Sequence, residues 1–84
     1  MRVSYAEVDG KHSIRNEDAV TFIRERRPFR NQSYTFYGFT DVNNVYGVFS
    51  CGRLVAKVYP DGHYEKVKRF PSWSHAQVIE KVLP

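Results

Sequence analysis

The sequence predicts an α+β fold: an antiparallel meander sheet of about four to five strands, with a short helix in the N-terminal half (about 17–27) and a C-terminal helix (about 75–83) packed on one face. Three observations carry this. From Asn43 to Gly62 the chain reads strand, turn, strand, turn, with Asn43-Asn44, Cys51-Gly52 and Pro60-Asp61-Gly62 as the turns. The last ten residues repeat apolar side chains at helical spacing: Val78, Ile79, Val82 and Leu83. At 84 residues, with aromatics at 15 %, the chain suits one compact domain (1–84) whose rings compensate for its small size.

In order, residues 2–8 alternate loosely and predict a short first strand, closed by a turn at Asp9 and Gly10. Residues 12–15 read as a second short strand or as irregular chain. Asn16 suits an N-cap, Glu17 and Asp18 suit a first helical turn, and Ala19, Val20 and Ile23 share a helical face. Arg24, Arg26 and Arg27 fall where cations meet the negative end of the helix dipole, and Pro28 stops the helix. The β propensity of Val20-Thr21-Phe22-Ile23 supports a strand instead, but cap and charge order favour the helix.

Residues 29–33 read as a polar connection. Residues 34–40 form an aromatic strand, with Tyr34, Phe36 and Gly38 on one face and Thr35, Tyr37 and Phe39 on the other. Residues 45–51 and 54–59 follow, the latter with Leu54, Ala56 and Val58 pointing one way. Residues 63–70 make the last strand, with Tyr64, Lys66, Lys68 and Phe70 on one side. The C-terminal helix starts on Ser74 as N-cap, with Gln77 completing a capping box and Trp73 stapled against Val78. Gly38 and Gly47, inside strands, mark bulges or close packing.

Composition excludes several classes. One cysteine, Cys51, allows no internal disulfide. No apolar run approaches the roughly 20 residues that span a bilayer, and the N-terminus shows no signal-peptide core, so a cytoplasmic location without membrane contact is the expectation. The net charge of +4 is compatible with nucleic acid, acidic protein or anionic lipid.

The chemistry-bearing residues point away from catalysis. Cys51 with His12, His63 or His75 could form a thiol nucleophile and base, but Cys51 sits at a turn and the histidines suit surface or capping positions. No pair has metal-ligand spacing, the glycines match no phosphate loop, and the carboxylates belong to turns and to a helix start. Ser72-Trp73-Ser74-His75 has no acid to hold the imidazole, and capping accounts for Ser74. The expectation is a non-enzyme with no cofactor and no metal.

Pro28-Phe29, Tyr46-Gly47-Val48-Phe49-Ser50-Cys51-Gly52, Leu54-Val55-Ala56, Asp61-Gly62 and the Ser72-to-His75 run occur in that order over roughly residues 20–84. This pattern resembles a group of small uncharacterised proteins of tailed bacteriophages, with Cys51 standing where that group carries Tyr. The resemblance implies a short phage gene product working in the host cytoplasm, and such proteins often bind and redirect host machinery as inhibitors or modulators.

The functional expectation is therefore binding, to a host protein or nucleoprotein. Arg24, Arg26, Arg27 and Arg30 would supply charge-assisted contacts beside an exposed aromatic. The alternative is nucleic acid, held by those arginines with Lys66, Lys68 and Arg69 and stacked on Tyr34, Tyr37, Tyr59 or Tyr64. Aromatics on both faces of residues 34–39 also fit a homodimer across the sheet.

Overall fold

The computed structural model describes residues 13–84. The strand expected over 2–8, the turn at Asp9 and Gly10, and His12 lie outside the described residues. A 3-10 turn (Asn16–Asp18) leads into α1 (Ala19–Arg24), followed by β1 (Phe29–Arg30), β2 (Phe36–Thr40), β3 (Tyr46–Ser50), β4 (Arg53–Val58), β5 (Tyr64–Lys66) and α2 (Trp73–Val82). The five strands lie in the order β1-β2-β3-β4-β5, all antiparallel, as the meander reading expects. Ala19 and Ile23 of α1 and Val78, Ile79 and Leu83 at α2 close over Phe29, Phe36, Tyr46, Val48, Val55, Ala56 and Val58, so both helices cover one face.

The first helix is shorter than 17–27. Arg26 takes φ 56°, its N–H donates to Ile23 O at 3.1 Å, and Arg27 N–H donates to Phe22 O at 2.8 Å. This is a Schellman closure with arginine where glycine is usual, and it ends the helix before Pro28 is reached. Arg26→Gly is expected to stabilise the fold by about 1 kcal/mol, the strain of a Cβ in the left-handed region, read as a higher urea midpoint. Asn16 is not an N-cap either. Neither the 3-10 turn nor α1 has a side-chain cap, and Asn16 Oδ1 accepts from Asn31 Nδ2 at 3.0 Å.

Residues 29–33 are more than a connection. β1 pairs Phe29 with Gly38 and Arg30 with Tyr37, and Asn31 makes an isolated parallel bridge to Ile14. Asn31 is buried and its amide is saturated: Nδ2 also donates to Thr35 Oγ1 at 3.0 Å, and Oδ1 accepts from Thr35 N and Phe36 N. Four side-chain bonds satisfy a group whose burial would otherwise cost 1–3 kcal/mol, and they turn the chain through Tyr34, at φ 61°, into β2. The aromatic strand thus begins at Phe36, not Tyr34.

A bulge corrects the fourth strand. Val48 pairs with Ala56 but Phe49 pairs with Leu54, so Val55 is the extra residue. Val55 turns into the core at 2 % exposure, and Leu54, at 39 %, moves to the face opposite Ala56 and Val58. Gly38 and Gly47 are sites of close packing and carry no bulge.

The Cys51-Gly52 turn has φ 53° and 80°, the mirror-image geometry of a two-residue hairpin. Between β2 and β3 only Asn44 takes positive φ. Asp41 Oδ1 there accepts from Asn43 N and Val45 N, in a wider loop than a two-residue turn. At Asp61-Gly62, Gly62 has φ 97°, and the Asp61 carboxylate accepts from His63 N at 3.0 Å and meets His63 Nδ1 at 2.8 Å. The His63 backbone N–H, the larger cause, and its ring hold the Asp61 carboxyl below its ordinary value.

The last strand ends at Lys66 rather than Phe70, after one further bond from Val67 N to Val55 O. The chain bends at Lys68 and Arg69, and Phe70 returns to pack against the core.

α2 starts two positions earlier than expected. Ser72, with extended backbone, is the N-cap, and its hydroxyl accepts from His75 N at 3.4 Å. Ser74 is inside the helix, no capping box forms with Gln77, and Trp73 occupies the first helical position at 77 % exposure rather than stapling Val78. The apolar stripe is as expected: Val78, Ile79 and Leu83 are buried and Val82 packs against them.

Candidate binding surfaces

Register alternation sends Tyr37 and Phe39 of β2 and Phe49 of β3 to the face away from the helices. Their rings stack in parallel. Tyr37 and Phe49 lie 4.9 Å apart at 9°, and Phe39 and Phe49 5.5 Å apart at 5°. Gly47 is opposite Phe39 and makes room for this. A Cβ there would lie 3.2 Å from both Leu54 Cδ1 and Phe49 Cε1. Phe39, Gly47, Phe49, Leu54 and Lys57 line a shallow cavity of about 110 Å³. A second, of about 160 Å³, continues past Leu54 and Lys57 to Val67. Together they form a trough with an apolar floor at Phe39, Gly47, Phe49 and Leu54, rimmed by Lys57 and Lys66 and by the carboxylates of Asp41 and Glu65.

The basic residues named from sequence are not gathered into one surface. Arg24 and Arg26 are exposed at the end of α1, and Arg26 Nη2 lies 3.9 Å from where a Gly62 Cβ would stand, beside the turn that precedes β5. Lys68 and Arg69 follow β5, so the length of that strand separates the two groups. Arg27 lies 4.7 Å over the Phe22 ring and 3.4 Å from Glu25; Arg30 lies 4.3 Å over the Tyr34 ring. Lys66 turns to the helix side and pairs with Glu80 of α2 at 2.9 Å.

The tyrosines expected to stack bases are engaged internally. Tyr34 carries Arg30, and Tyr37 lies against Phe49. Tyr59 stacks on His63 at 4.2 Å and donates to Glu65, which raises its pKa, and Tyr64 donates to Pro84 O at 2.7 Å. Trp73 was missed as a surface residue. Among the described residues it is far more exposed than any other aromatic ring and makes no ring contact. The signal available was Ser72, an equally good cap two residues earlier.

Sequence reading also missed the pairing of Ser50 with His75. The hydroxyl lies 2.6 Å from Nδ1, and the imidazole stacks on Phe36 at 4.3 Å and 8°. His75 is buried rather than a surface residue, and burial pushes its pKa below the ordinary value. Ser50 is fully buried, so its hydroxyl cannot reach a substrate. The usable hint was that Ser50 shares the inward face of Tyr46 and Val48. Cys51 is exposed in its turn, with Sγ 4.0 Å from Ser50 Oγ.

Among the described residues no group of His, Cys, Asp or Glu has the arrangement of a metal site, and no helix is long and apolar enough to cross a membrane. No protein-family model, curated protein sequence or solved structure matches the chain.

Proposed function

We propose that the protein is non-enzymatic and works by binding a partner protein, in a host protein or nucleoprotein complex, through the face of the sheet away from the helices. The observation that carries this is the trough over Gly47. Phe49 and Leu54 form its apolar floor, Leu54 is 39 % exposed, and Lys57 offers a charge-assisted contact. A cleft of that size receives one or two apolar side chains, and such anchors carry most of the energy of a small interface. The phage-like order of motifs supports a host component as partner, acted on by inhibition or modulation.

A tagged pull-down from bacterial lysate, with and without nuclease, tests this. A protein band that survives nuclease and is lost with Leu54→Glu is the expected result. Leu54→Glu changes an exposed side chain, so unchanged circular dichroism accompanies that loss. A band that Leu54→Glu retains overturns the trough, and a band that Arg24→Glu with Arg27→Glu removes instead assigns the contact to the α1 end.

A further inference from the structure

We propose that the end of the sheet marked by Arg53, Lys68, Arg69 and Trp73 is a site for single-stranded nucleic acid. Strand pairing and one buried side-chain bond gather these residues. Arg53 pairs with Ser50 across the β3–β4 turn, and Ser50 bonds His75, two residues after Trp73. Val67 N donates to Val55 O, which brings the following Lys68 and Arg69 alongside the start of β4. Arg53, Lys68 and Arg69 are exposed and form no ion pair among the described residues, whereas Lys66 is neutralised by Glu80.

The Trp73 indole supplies the second element. It is 77 % exposed, it stands on the first residue of a capped helix, and it makes no ring contact among the described residues. Its helical neighbours are small or polar, Ser74, Ala76 and Gln77, so no large apolar side chain of α2 stands beside it. A flat aromatic with separated cations fits a nucleobase on the ring and phosphates on the cations. The ladder of Tyr37, Phe39 and Phe49 is a poorer platform, since its rings face one another. This site is distinct from the trough and stands or falls separately from it.

Trp73 is the only tryptophan in the chain, so its fluorescence reports on this site directly. The experiment titrates the full chain with a short oligothymidylate, its duplex form and polyglutamate. Expected is quenching by the single strand, weaker by duplex and absent with polyglutamate. Three phosphate contacts predict a log–log salt slope of about −2. With a labelled oligonucleotide read by anisotropy, Trp73→Ala weakens binding about 5- to 150-fold, the worth of one stacked base. Lys68→Glu with Arg69→Glu removes it, while Arg24→Glu with Arg26→Glu and Leu54→Glu keep the slope. Absent quenching at low salt overturns the site. So does equal quenching by polyglutamate, which assigns the surface to acidic protein, or an equal loss from the Arg24 and Arg26 pair, which reduces binding to diffuse charge.

Discussion

Gly38→Ala is expected to lower stability by about 3 kcal/mol, a large fraction of the roughly 4–12 kcal/mol that holds a domain of this size together. A Cβ at this position would lie 2.7 Å from Phe29 Cε1, 2.8 Å from Tyr46 Oη and 3.2 Å from the Gly47 carbonyl. None of the three can retreat cheaply. Phe29 is wedged edge-on against Phe36 at 5.2 Å and tilted against Phe22 at 6.2 Å. Tyr46 is 1 % exposed and its hydroxyl donates to Arg27 O at 2.8 Å, the bond that ties the end of α1 to the central strand. Burial pushes the Tyr46 phenol far above its ordinary pKa, so it remains a donor at any ordinary pH. Displacing Tyr46 therefore adds the loss of a buried hydrogen bond to the steric cost. Gly52→Ala is the control, since nothing lies within 4 Å of it and only its positive φ resists substitution. That change is expected to cost about 1 kcal/mol. Urea titrations followed by circular dichroism separate the two. Equal midpoints for both variants would show that Gly38 is not a packing constraint.

What was legible in the sequence was local. The Pro60-Asp61-Gly62 and Cys51-Gly52 turns were readable because the residues that form them also carry their torsions. The stripe on α2 was readable because four apolar residues at helical spacing have one way to be buried together. What escaped reading depends on partners distant in sequence. β1 is two residues long and exists because Asn31 binds Asn16, Thr35 and Phe36 at once. The bulge at Val55 is a matter of register with β3, and alternation within β4 alone assigns Leu54 and Val55 to the wrong faces. Arg26 in the left-handed region runs against its own preference and is held there by two backbone bonds. Trp73 turned on which of two serines caps the helix. Ser72 takes that place when His75, three residues on, reaches Ser50 in the sheet. For the candidate sites, the types of residue were legible and their grouping was not. Arg26 reaches the turn at one end of β5, and Lys68 and Arg69 follow its other end.

The Ser50–His75 pair is expected to make stability fall with acid. Burial is the only cause that shifts His75, and it acts downward. The unfolded chain takes up this proton near 6.5, the folded chain only at lower pH. Below about 6.5 the unfolded state therefore holds more protons, and stability drops as pH falls toward the folded value; above it the contribution is complete and flat. The position in the first turn of α2 reinforces the direction, because a cation there opposes the helix dipole. His75→Phe keeps the stack on Phe36 and removes the titration, but it strands the Ser50 hydroxyl, at a cost of about 1–3 kcal/mol at neutral pH. Ser50→Ala together with His75→Phe removes both partners and is expected to recover most of that loss. Urea midpoints for the wild type and these two variants, taken on both sides of the His75 transition, decide the matter. The wild type should weaken below it more than either His75→Phe protein does. A double variant no more stable than His75→Phe alone would show that the 2.6 Å contact does not couple the helix to the sheet.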